Sequence, residues 1–419
     1  MPNAKRIICD LHLHSHYSRA TSKDMKAKTL ALWAERKGIR VVGTGDFTHP
    51  KYLAELKDQF VTSGQGLFRL KNDQAPVHFL LTVEVNNIYH QAGRLRKIHT
   101  LIFAPSFEVV DKINAQLTRR GDLAVDGRPT FTFSAKDLVK IILDVSPECF
   151  IVPAHAWTPW FSVFGSNSGF DSLEECFGEE TKHIHAIETG LSSDAAMNWR
   201  LSALDRVAVI SNSDAHSPAK LGREATVFSC ALDYREIIDA VKTKDRKRFL
   251  YTVEFFPEEG KYHYDGHRDC RINWHPKESQ AHRNTCPVCG KRLTLGVLHR
   301  VEQLADRPDG YQPPGAIPQK HLIPLVEIIA DVFGQGVDTK AVQEEYLRLI
   351  RLLGNEFEIL LDRTDGEIAK VATPEVTEGI RRVREGKVSI VPGHDGVYGK
   401  ISLFAEGEKV EAQPQLSLL

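Results

Sequence analysis

The chain has 419 residues, of which 42% are hydrophobic and 26% charged, as in an ordinary soluble globular protein. Its formal net charge of -1 does not exclude nucleic acid as a ligand, because local basic patches can bind phosphates in a neutral chain. The N-terminus lacks the apolar core of a signal peptide, and no run approaches ~18 apolar residues, so we expect a cytoplasmic protein.

Over about the first 230 residues, seven short apolar runs alternate with helical stretches, and we interpret each run as a β-strand. At least five end in a residue type that binds metal. The runs are residues 10–16, 41–46, 80–84, 99–103, 151–155, 186–188 and 209–216. Helical spacing is clear over 28–37 and over 134–143, where Ser134 is the predicted N-cap. Strand–helix alternation predicts a parallel sheet, and polar groups at the strand ends favour a closed, distorted seven-stranded (β/α)7 barrel.

Two pairs of metal-binding residues, His12 with His14 and Asp214 with His216, are each separated by one residue. Alternate residues of a strand face the same side, so the members of each pair can reach one ion. Imidazole and carboxylate ligands together suit zinc, manganese or iron. Five or more histidines with Glu84 and Asp214 provide ligands for two or three ions, with Glu84 as the natural bridge. A structural role is the better interpretation for His16, His90 and His185.

The segment after residue 233 has a different pattern. A helix from Tyr234 to about Phe249 ends in the basic stretch 242–248, which either complements the helix dipole or faces phosphate. A proline-rich linker over 307–320 follows. Helices are predicted over 322–333, 342–353 and 374–385, and a β-hairpin over 388–404.

The seven cysteines are an odd number in a long chain, which argues against a disulfide framework. His267, Cys270, Cys286 and Cys289 have the spacing of a closed structural zinc site. His263, His275 and His282 are alternatives for the histidine ligand. The remaining cysteines, Cys9, Cys149, Cys176 and Cys230, are expected to be buried core residues. We therefore divide the chain into a barrel that carries the metal-binding residues (1–232), a connecting helix with a zinc-binding module (233–305) and a C-terminal, mainly helical region (306–419).

The metal-binding motifs resemble those of the polymerase and histidinol phosphatase (PHP) superfamily. The segments that carry the resemblance are Asp10-Leu-His-Leu-His-Ser15, Thr44-Gly45-Asp46, Glu84, His99, Pro153-Ala154-His155 and Ser213-Asp214-Ala215-His216. The resemblance implies a distorted barrel of seven β/α units with up to three metals. His12, His14, Glu84 and Asp214 would hold one ion, His99, His155 and shared Glu84 a second, and His216 a third. Glu84, Asp214 and His216 would be the catalytic residues.

Two positions depart from the superfamily pattern. Ala20 stands where a histidine or aspartate is usual, and Asp46 stands where the second motif usually has histidine. Asp46 could replace that histidine by oxygen ligation, and Asp24 or His49 could supply the other ligand. The third ion is therefore the least determined part of the predicted site.

Nearly the whole chain resembles the endonuclease Q family. The telling segments are 18–25, 43–50, 261–289, 296–307 and 392–399. The resemblance implies a metal-dependent endonuclease that nicks DNA 5′ to deaminated bases (hypoxanthine, uracil, xanthine) and to abasic sites. Two or three divalent ions (Zn, Mn or Mg) would supply a metal-bound hydroxide and leave 3′-hydroxyl and 5′-phosphate ends, with one structural Zn elsewhere. The expected partners are double- or single-stranded DNA and replication or repair proteins, and the expected location is the nucleoid.

Recognition of a lesion inside a duplex requires its extrusion into a pocket. We predict that Trp157, Trp160 or Phe161 stacks on the extruded base, whereas the alternative is that these rings pack the loop onto the barrel. The candidate phosphate contacts are Lys242, Arg246 and Lys247. Two rival functions are a PHP-type phosphatase or 3′-5′ exonuclease and a non-catalytic DNA-binding module. The chain contains no Walker A loop, which excludes an ATP-driven helicase.

Overall fold

A computed structural model describes residues 6–404. Its strands are β1 (Ile7–Asp10), β2 (Val41–Gly43), β3 (Phe60–Thr62), β4 (Phe68–Leu70), β5 (His78–Gln91), β6 (Arg94–Ala104), β7 (Thr130–Phe131), β8 (Phe150–Pro153), β9 (Ala186–Glu188), β10 (Ala208–Ile210), β11 (Ala225–Phe228), β12 (Phe249–Glu254), β13 (Asp265–His267), β14 (Ile272–Trp274), β15 (Gln319–His321), β16 (Ser389–Val391) and β17 (Lys400–Ser402). Its helices are α1 (Ala27–Lys37), α2 (Pro50–Gln59), α3 (Phe107–Thr118), α4 (Ala135–Val145), α5 (Leu173–Phe177), α6 (Ala195–Trp199), α7 (Tyr234–Thr243), α8 (Pro276–Ala281), α9 (Val297–Leu304), α10 (Leu325–Phe333), α11 (Lys340–Leu353), α12 (Glu356–Leu361), α13 (Asp365–Ile368) and α14 (Pro374–Arg384).

The centre of the fold is a mixed sheet in the order β15-β12-β11-β1-β2-β5-β4-β3, with β6 and β7 also paired to β5, and β8 paired to β6. Each of the seven predicted runs overlaps a strand, although run 10–16 shares only Asp10 with β1 and run 209–216 shares only its first two residues with β10. The prediction of a parallel sheet is wrong in part: β1, β2 and β5 are parallel, but β5–β6, β6–β8 and β1–β11 are antiparallel. A tight turn at Ala92 (φ 51°) and Gly93 (φ 71°) joins β5 directly to β6, so no crossover helix is needed.

Strands β9 and β10 form a separate parallel pair beside the large sheet. The pair is attached through a bridge between Leu13 and Ala215 and through a 2.9 Å hydrogen bond from Ala156 N to Glu188 O. Within residues 6–404 no strand ladder joins β8 to β9, so the closed seven-stranded barrel stays a prediction. The sheet also extends past residue 232, because β12 pairs with β11 and β15 pairs with β12.

The helices bury apolar faces against the sheet or against one another, and the sequence accounts for how they begin and end. In α4, Leu138, Val139 and Ile142 are buried at helical spacing, and the Ser134 side chain accepts a hydrogen bond from Asp137 N as predicted. Helix α7 is shorter than predicted, because Lys244 adopts a left-handed conformation (φ 50°) and the chain enters β12 at Phe249.

The C-terminal segment has the predicted helices, with two further short ones, α12 and α13. The predicted hairpin is confirmed as β16–β17, in which Ser389 pairs with Ser402. Among residues 6–404 no helix has the length and apolar character needed to cross a membrane.

Candidate metal centre

Three overlapping groups of ligand atoms meet at one end of the sheet. The groups are His12, His14 and Glu84; His14, Asp214 and His216; and Glu84, His99 and His155, and within each group the atoms lie within 4.8 Å of one another. His14 and Glu84 each belong to two groups. The structure therefore brings together every predicted active-site ligand except Asp46.

The strands explain how residues far apart in sequence meet. His12 and His14 follow β1, His155 follows β8, and Asp214 and His216 follow β10. Glu84 and His99 lie instead inside β5 and β6. Glu84 pairs with Leu101 of the antiparallel strand β6, two residues from His99. Because β6 runs opposite to β5, a histidine inside its strand reaches the same place as a residue at a parallel strand end.

Left-handed backbone is concentrated at this centre. His155 (φ 28°), Asp214 (φ 48°) and Asp46 (φ 50°) are not glycines, yet each has positive φ. Such conformations cost of order 1–3 kcal/mol each and persist only where the surrounding structure imposes them. The hydrogen bonds described next constrain His155 and Asp46.

The buried carboxylate of Glu188 lies outside the three ligand groups and contacts two of their histidine residues. It lies 2.9 Å from His12 Nδ1 and accepts hydrogen bonds from Asn212 Nδ2 (2.9 Å) and His155 N (2.8 Å). A proton on His12 Nδ1 leaves Nε2 free to face Glu84 and Asp214, which is the tautomer a metal ligand needs. Sequence reasoning placed Glu188 at a strand end but did not assign it a role.

Asp46 lies behind His14 rather than among the ligand groups. One oxygen is 3.2 Å from His14 Nδ1, and the other accepts hydrogen bonds from Ser15 N (2.6 Å) and Ser18 Oγ (2.9 Å). A Cβ at Gly127 would lie 2.3 Å from Asp46 Oδ2, so this close approach requires glycine. Asp46 therefore contacts His14 and lies outside the ligand groups, and the expected oxygen ligation by Asp46 stays a prediction.

The other residues considered as ligands of the third ion also lie outside the ligand groups. His49 caps α2 by accepting a hydrogen bond from Tyr52 N, and Asp24 is exposed. Ala20 has a left-handed backbone (φ 59°) in an exposed turn. His16, a predicted structural histidine, has its Nδ1 3.1 Å from the carbonyl of Met25.

The donor set fits divalent cations. His12 Nε2, His14 Nε2 and Asp214 Oδ1 are buried and have no hydrogen-bond partner among the described residues, although buried polar atoms are rarely left unpaired. These atoms face one another and Glu84, and the distance from His14 Nε2 to Asp214 Oδ1 is 3.2 Å. Unpaired nitrogen and oxygen atoms that converge in this way are the arrangement a metal would satisfy.

Electrostatics at the centre favour ionised carboxylates. Burial opposes ionisation of Glu84, but the four surrounding imidazoles hold its pKa well below the ordinary value. Burial likewise opposes ionisation of Asp214, and His12 and His14 reverse the effect, so its pKa is also lowered. Burial lowers the pKa of His99 to about 4, which keeps this ring neutral and able to bind a cation.

Arg128 is a cation in direct contact with the ligand cluster. Its Nη1 donates a 2.9 Å hydrogen bond to Glu84 Oε2, and 30% of its side chain is exposed. The residue follows Gly127 in a loop whose sequence has no recognisable motif, which explains why sequence reasoning missed it. Its position allows contact with both the ligands and an incoming anion.

The cysteine-rich segment forms a second, separate group. The ligand atoms of His267, Cys270, Cys286 and Cys289 all lie within 4.8 Å of one another, so His267 rather than His263, His275 or His282 completes the set. Burial opposes thiolate formation at Cys286, but backbone N–H groups of Cys289 and Val288 outweigh it and lower the pKa to about 7. Three sulfurs and one imidazole in this arrangement fit a divalent metal.

The aromatic candidates for base stacking differ in exposure. Trp157 is 1% exposed, and its Nε1 donates a 2.8 Å hydrogen bond to Asn198, so the packing alternative is correct for this residue. Trp160 is 48% exposed. Phe161 packs on His99 with 4.7 Å between ring centroids. Only the latter two can offer a ring face beside the ligand cluster.

The predicted phosphate contacts Lys242, Arg246 and Lys247 lie at the other end of the sheet. Ile7 at the start of β1 pairs with Phe228, which pairs with Phe249 directly after the basic stretch. The metal ligands follow the opposite end of β1. The structure therefore does not bring this stretch to the metal centre.

Comparison with known proteins identifies relatives over parts or nearly all of the chain. The family model for the MJ0043 C-terminal domain matches residues 324–387. The chain is 34% identical over 265 residues to the uncharacterized protein MJ0043 of Methanocaldococcus jannaschii, a match that covers 61% of this chain and 32% of that protein. It is 29% identical over 415 residues to the uncharacterized protein YqxK of Bacillus subtilis, covering 95% of this chain and 99% of that protein.

Two solved structures are similar over almost their whole length. The lesion-specific endonuclease PfuEndoQ of Pyrococcus furiosus has 32% sequence identity and a TM-score of 0.85, with 95% of each chain covered. An endonuclease Q in complex with a 27-mer duplex carrying an abasic lesion has 32% identity and a TM-score of 0.83, with 97% of this chain and 99% of that chain covered.

The fold and the ligand groups define a candidate metal centre on a mixed α/β scaffold. The chain belongs to the endonuclease Q family, and it is an enzyme of the DNA-cleaving hydrolase class.

Proposed function

We propose that this enzyme nicks DNA on the 5′ side of deaminated bases and abasic sites. One observation carries the proposal: three ligand groups that share His14 and Glu84 assemble in a chain similar over 97% of its length to an endonuclease Q solved with abasic-site DNA. Its substrate is then damaged DNA, and its place of action is the nucleoid.

The ligand groups have capacity for two or three divalent ions, which we propose to be Zn, Mn or Mg. Bound there, such ions supply Lewis-acid neutralisation of the charge that develops on the phosphate and the departing 3′ oxygen. Glu84, Asp214 and His216 are the proposed catalytic residues. The Cys270–Cys286–Cys289–His267 group is the proposed structural Zn site, and the scaffold that carries the catalytic ligands is proposed to be a distorted seven-stranded barrel.

The chain's own residues prepare the centre. Glu188 holds the proton of His12 on Nδ1, and Asp46 does the same for His14, so both rings direct Nε2 to the ligand groups. Arg128 is placed to bind a non-bridging phosphate oxygen, because its guanidinium is in contact with Glu84 yet partly open to solvent.

The lesion pocket is proposed to use Trp160 and Phe161. Phe161 N is held by Ser168 Oγ (3.2 Å), and its carbonyl accepts a 3.0 Å hydrogen bond from His99 N. The aromatic loop is thereby tied to a metal-ligand strand. Lys97 Nζ lies 4.8 Å from the Trp160 centroid and 5.1 Å from that of Phe161, and a cation beside two rings suits an extruded base with its phosphate.

The test is a duplex with one deoxyinosine, labelled at one end and incubated with and without chelator and added divalent metal. We expect one product that ends 5′ to the lesion in a 3′-hydroxyl, formed only with metal. Released phosphate or mononucleotides would indicate the rival phosphatase or exonuclease. Binding with no cleavage under any metal would indicate a DNA-binding module and refute the proposal.

A further inference from the structure

A surface with two exposed tyrosines lies outside the metal centre, where the β16–β17 hairpin meets the segment after β12. We name Tyr262, Tyr398 and Lys261 the tyrosine patch. Tyr398 is 72% exposed and Tyr262 is 36% exposed. Lys261 Nζ lies 5.7 Å from the centroid of each ring. Two accessible rings that flank one ammonium group have no role in the centre described above.

The hairpin is held rigidly in this position. Gly396 N donates to Lys261 O (2.9 Å), and Gly393 N donates to Glu258 O (2.8 Å). The Asp395 carboxylate accepts hydrogen bonds from Arg268 N (2.7 Å) and Thr294 Oγ1 (2.6 Å). The exposure of Tyr398 therefore belongs to a fixed loop, which can present a ring without first paying an ordering cost.

The tyrosine patch lies at the same end of the sheet as the metal centre. Strands β1 and β12 run in the same direction, since both are antiparallel to β11. The segment after β12 therefore leaves the sheet at the end where His12 follows β1. Arg223 donates a 2.9 Å hydrogen bond to the carbonyl of Ser213 beside Asp214, and the next residue, Glu224, accepts a 3.4 Å hydrogen bond from Phe255 N directly after β12.

The neighbouring cysteine-rich segment is strongly basic. Residues 261–300 contain eight Lys and Arg against three Asp and Glu, a net charge of +5 in a chain whose formal total is -1. A cationic surface with exposed rings complements a polyanion that has accessible bases. An apolar protein partner would not require this charge.

We infer that the tyrosine patch binds DNA beside the lesion, with Tyr398 stacked on a base left unpaired when the lesion leaves the duplex. Lys261 holds the phosphate next to that base. The inference rests on the proposed function, because only extrusion of a lesion creates the unpaired base. Aromatic stacking tolerates any base, so Tyr398 contributes to lesion affinity without selecting the sequence around it.

The test compares Tyr398→Ala, Tyr398→Trp and the control Tyr311→Ala. Tyr311 also has a cation near its ring, with 4.5 Å from Arg307 Cζ to the centroid, but Arg307 pairs with Asp205, which precedes β10, whereas Asp214 of the metal centre follows that strand. Binding of a fluorescein-labelled duplex with one abasic site, and of the intact duplex, is measured by anisotropy without added divalent metal and without chelator, so that a metal at the cysteine group is retained. Single-turnover nicking with Mn²⁺ is measured in parallel, and circular dichroism confirms folding.

We expect Tyr398→Ala to weaken binding of the abasic duplex by roughly tenfold, and Tyr398→Trp and Tyr311→Ala to retain it. The intact duplex should show a much smaller change. Equal affinities of Tyr398→Ala and Tyr311→Ala, or an equal loss on intact and abasic duplexes, would overturn the inference. If the wild-type protein binds the abasic duplex but does not nick it, the proposed function fails while the binding comparison still decides the role of Tyr398.

Discussion

Replacement of Glu188 by glutamine tests whether a residue outside the three ligand groups controls metal binding through its contacts with His12 and His155. The carboxylate serves three donors with two oxygens: His12 Nδ1, Asn212 Nδ2 and His155 N. Glutamine has the same shape but replaces one acceptor with an NH2 donor. Either orientation of the amide sets that donor against a donor already present.

The structure determines which contact is lost. The backbone N–H of His155 cannot rotate, so the glutamine oxygen should stay on that side and its NH2 group should face Asn212. Asn212 cannot flip at no cost, because its Oδ1 accepts a 2.8 Å hydrogen bond from Leu11 N. His12 can then accept at Nδ1 and carry its proton on Nε2, the atom that must be free to bind metal.

Loss of such a supporting contact typically weakens metal affinity 10- to 100-fold, or about 1.4–2.8 kcal/mol. One buried donor left unpaired would cost a further ~1–3 kcal/mol of unfolding free energy. Competition of Glu188→Gln with a metal-sensitive dye for Zn²⁺ or Mn²⁺ measures the first effect, and denaturant unfolding of the metal-free protein measures the second. Glu179→Gln, at a side chain that is 69% exposed, is the matched control. Wild-type metal affinity in Glu188→Gln would refute the reasoning.

Three further outcomes are expected. Arg128→Ala should bind metal several-fold more tightly, because a cation beside Glu84 is removed, yet it should nick DNA roughly tenfold more slowly, with Arg128→Lys intermediate. The control Arg19→Ala, at a side chain that is 76% exposed, should match wild type. A fall in the metal affinity of Arg128→Ala would contradict the role assigned to Arg128. Cys286→Ser should lose about one bound metal per chain by elemental analysis and lower the Tm by several degrees, whereas an unchanged metal content would contradict a metal at the cysteine group. Burial raises the pKa of Glu254 from 4.5 to about 7, so the folded state holds a proton that the unfolded chain releases, and the free energy of unfolding falls as pH rises between these values. Glu254→Gln should abolish on the order of 3 kcal/mol of this pH-dependent decrease, measured by denaturant unfolding at pH 8. An unchanged pH dependence in the variant would show that Glu254 is not its source.

Much of the metal centre could be predicted because its spacing is local. His12 with His14, Asp214 with His216, and the paired cysteines 286 and 289 are each set by a short stretch of chain. Their convergence followed from strands that end at a common place. The aromatic loop and the basic stretch 242–248 were less predictable, because composition does not reveal which face of a loop is buried or at which end of a sheet a helix finishes.

The missed residues have a common property: their roles depend on contacts across long sequence separations. Glu188 is 176 residues from His12, and Arg128 is 44 residues from Glu84. A carboxylate at a strand end and an arginine in a loop are both ordinary in sequence, and only the fold shows which polar atoms they meet. The antiparallel β5–β6 hairpin was missed for a related reason, since alternating apolar patterns do not specify strand direction.

Asp46 shows how a departure from a motif can change a residue's role and keep the site intact. His12 and His14 each have a carboxylate behind Nδ1, Glu188 at 2.9 Å and Asp46 at 3.2 Å. Both carboxylates fix the same tautomer and make the ring a stronger donor to a cation. Asp46 follows β2 and contacts the His14 ring while its second oxygen accepts hydrogen bonds from Ser15 and Ser18. The group that contains His216 is completed by His14 and Asp214. Because the side chain of His216 is 36% exposed, an ion held there would exchange with solvent more readily than one beside the buried Glu84.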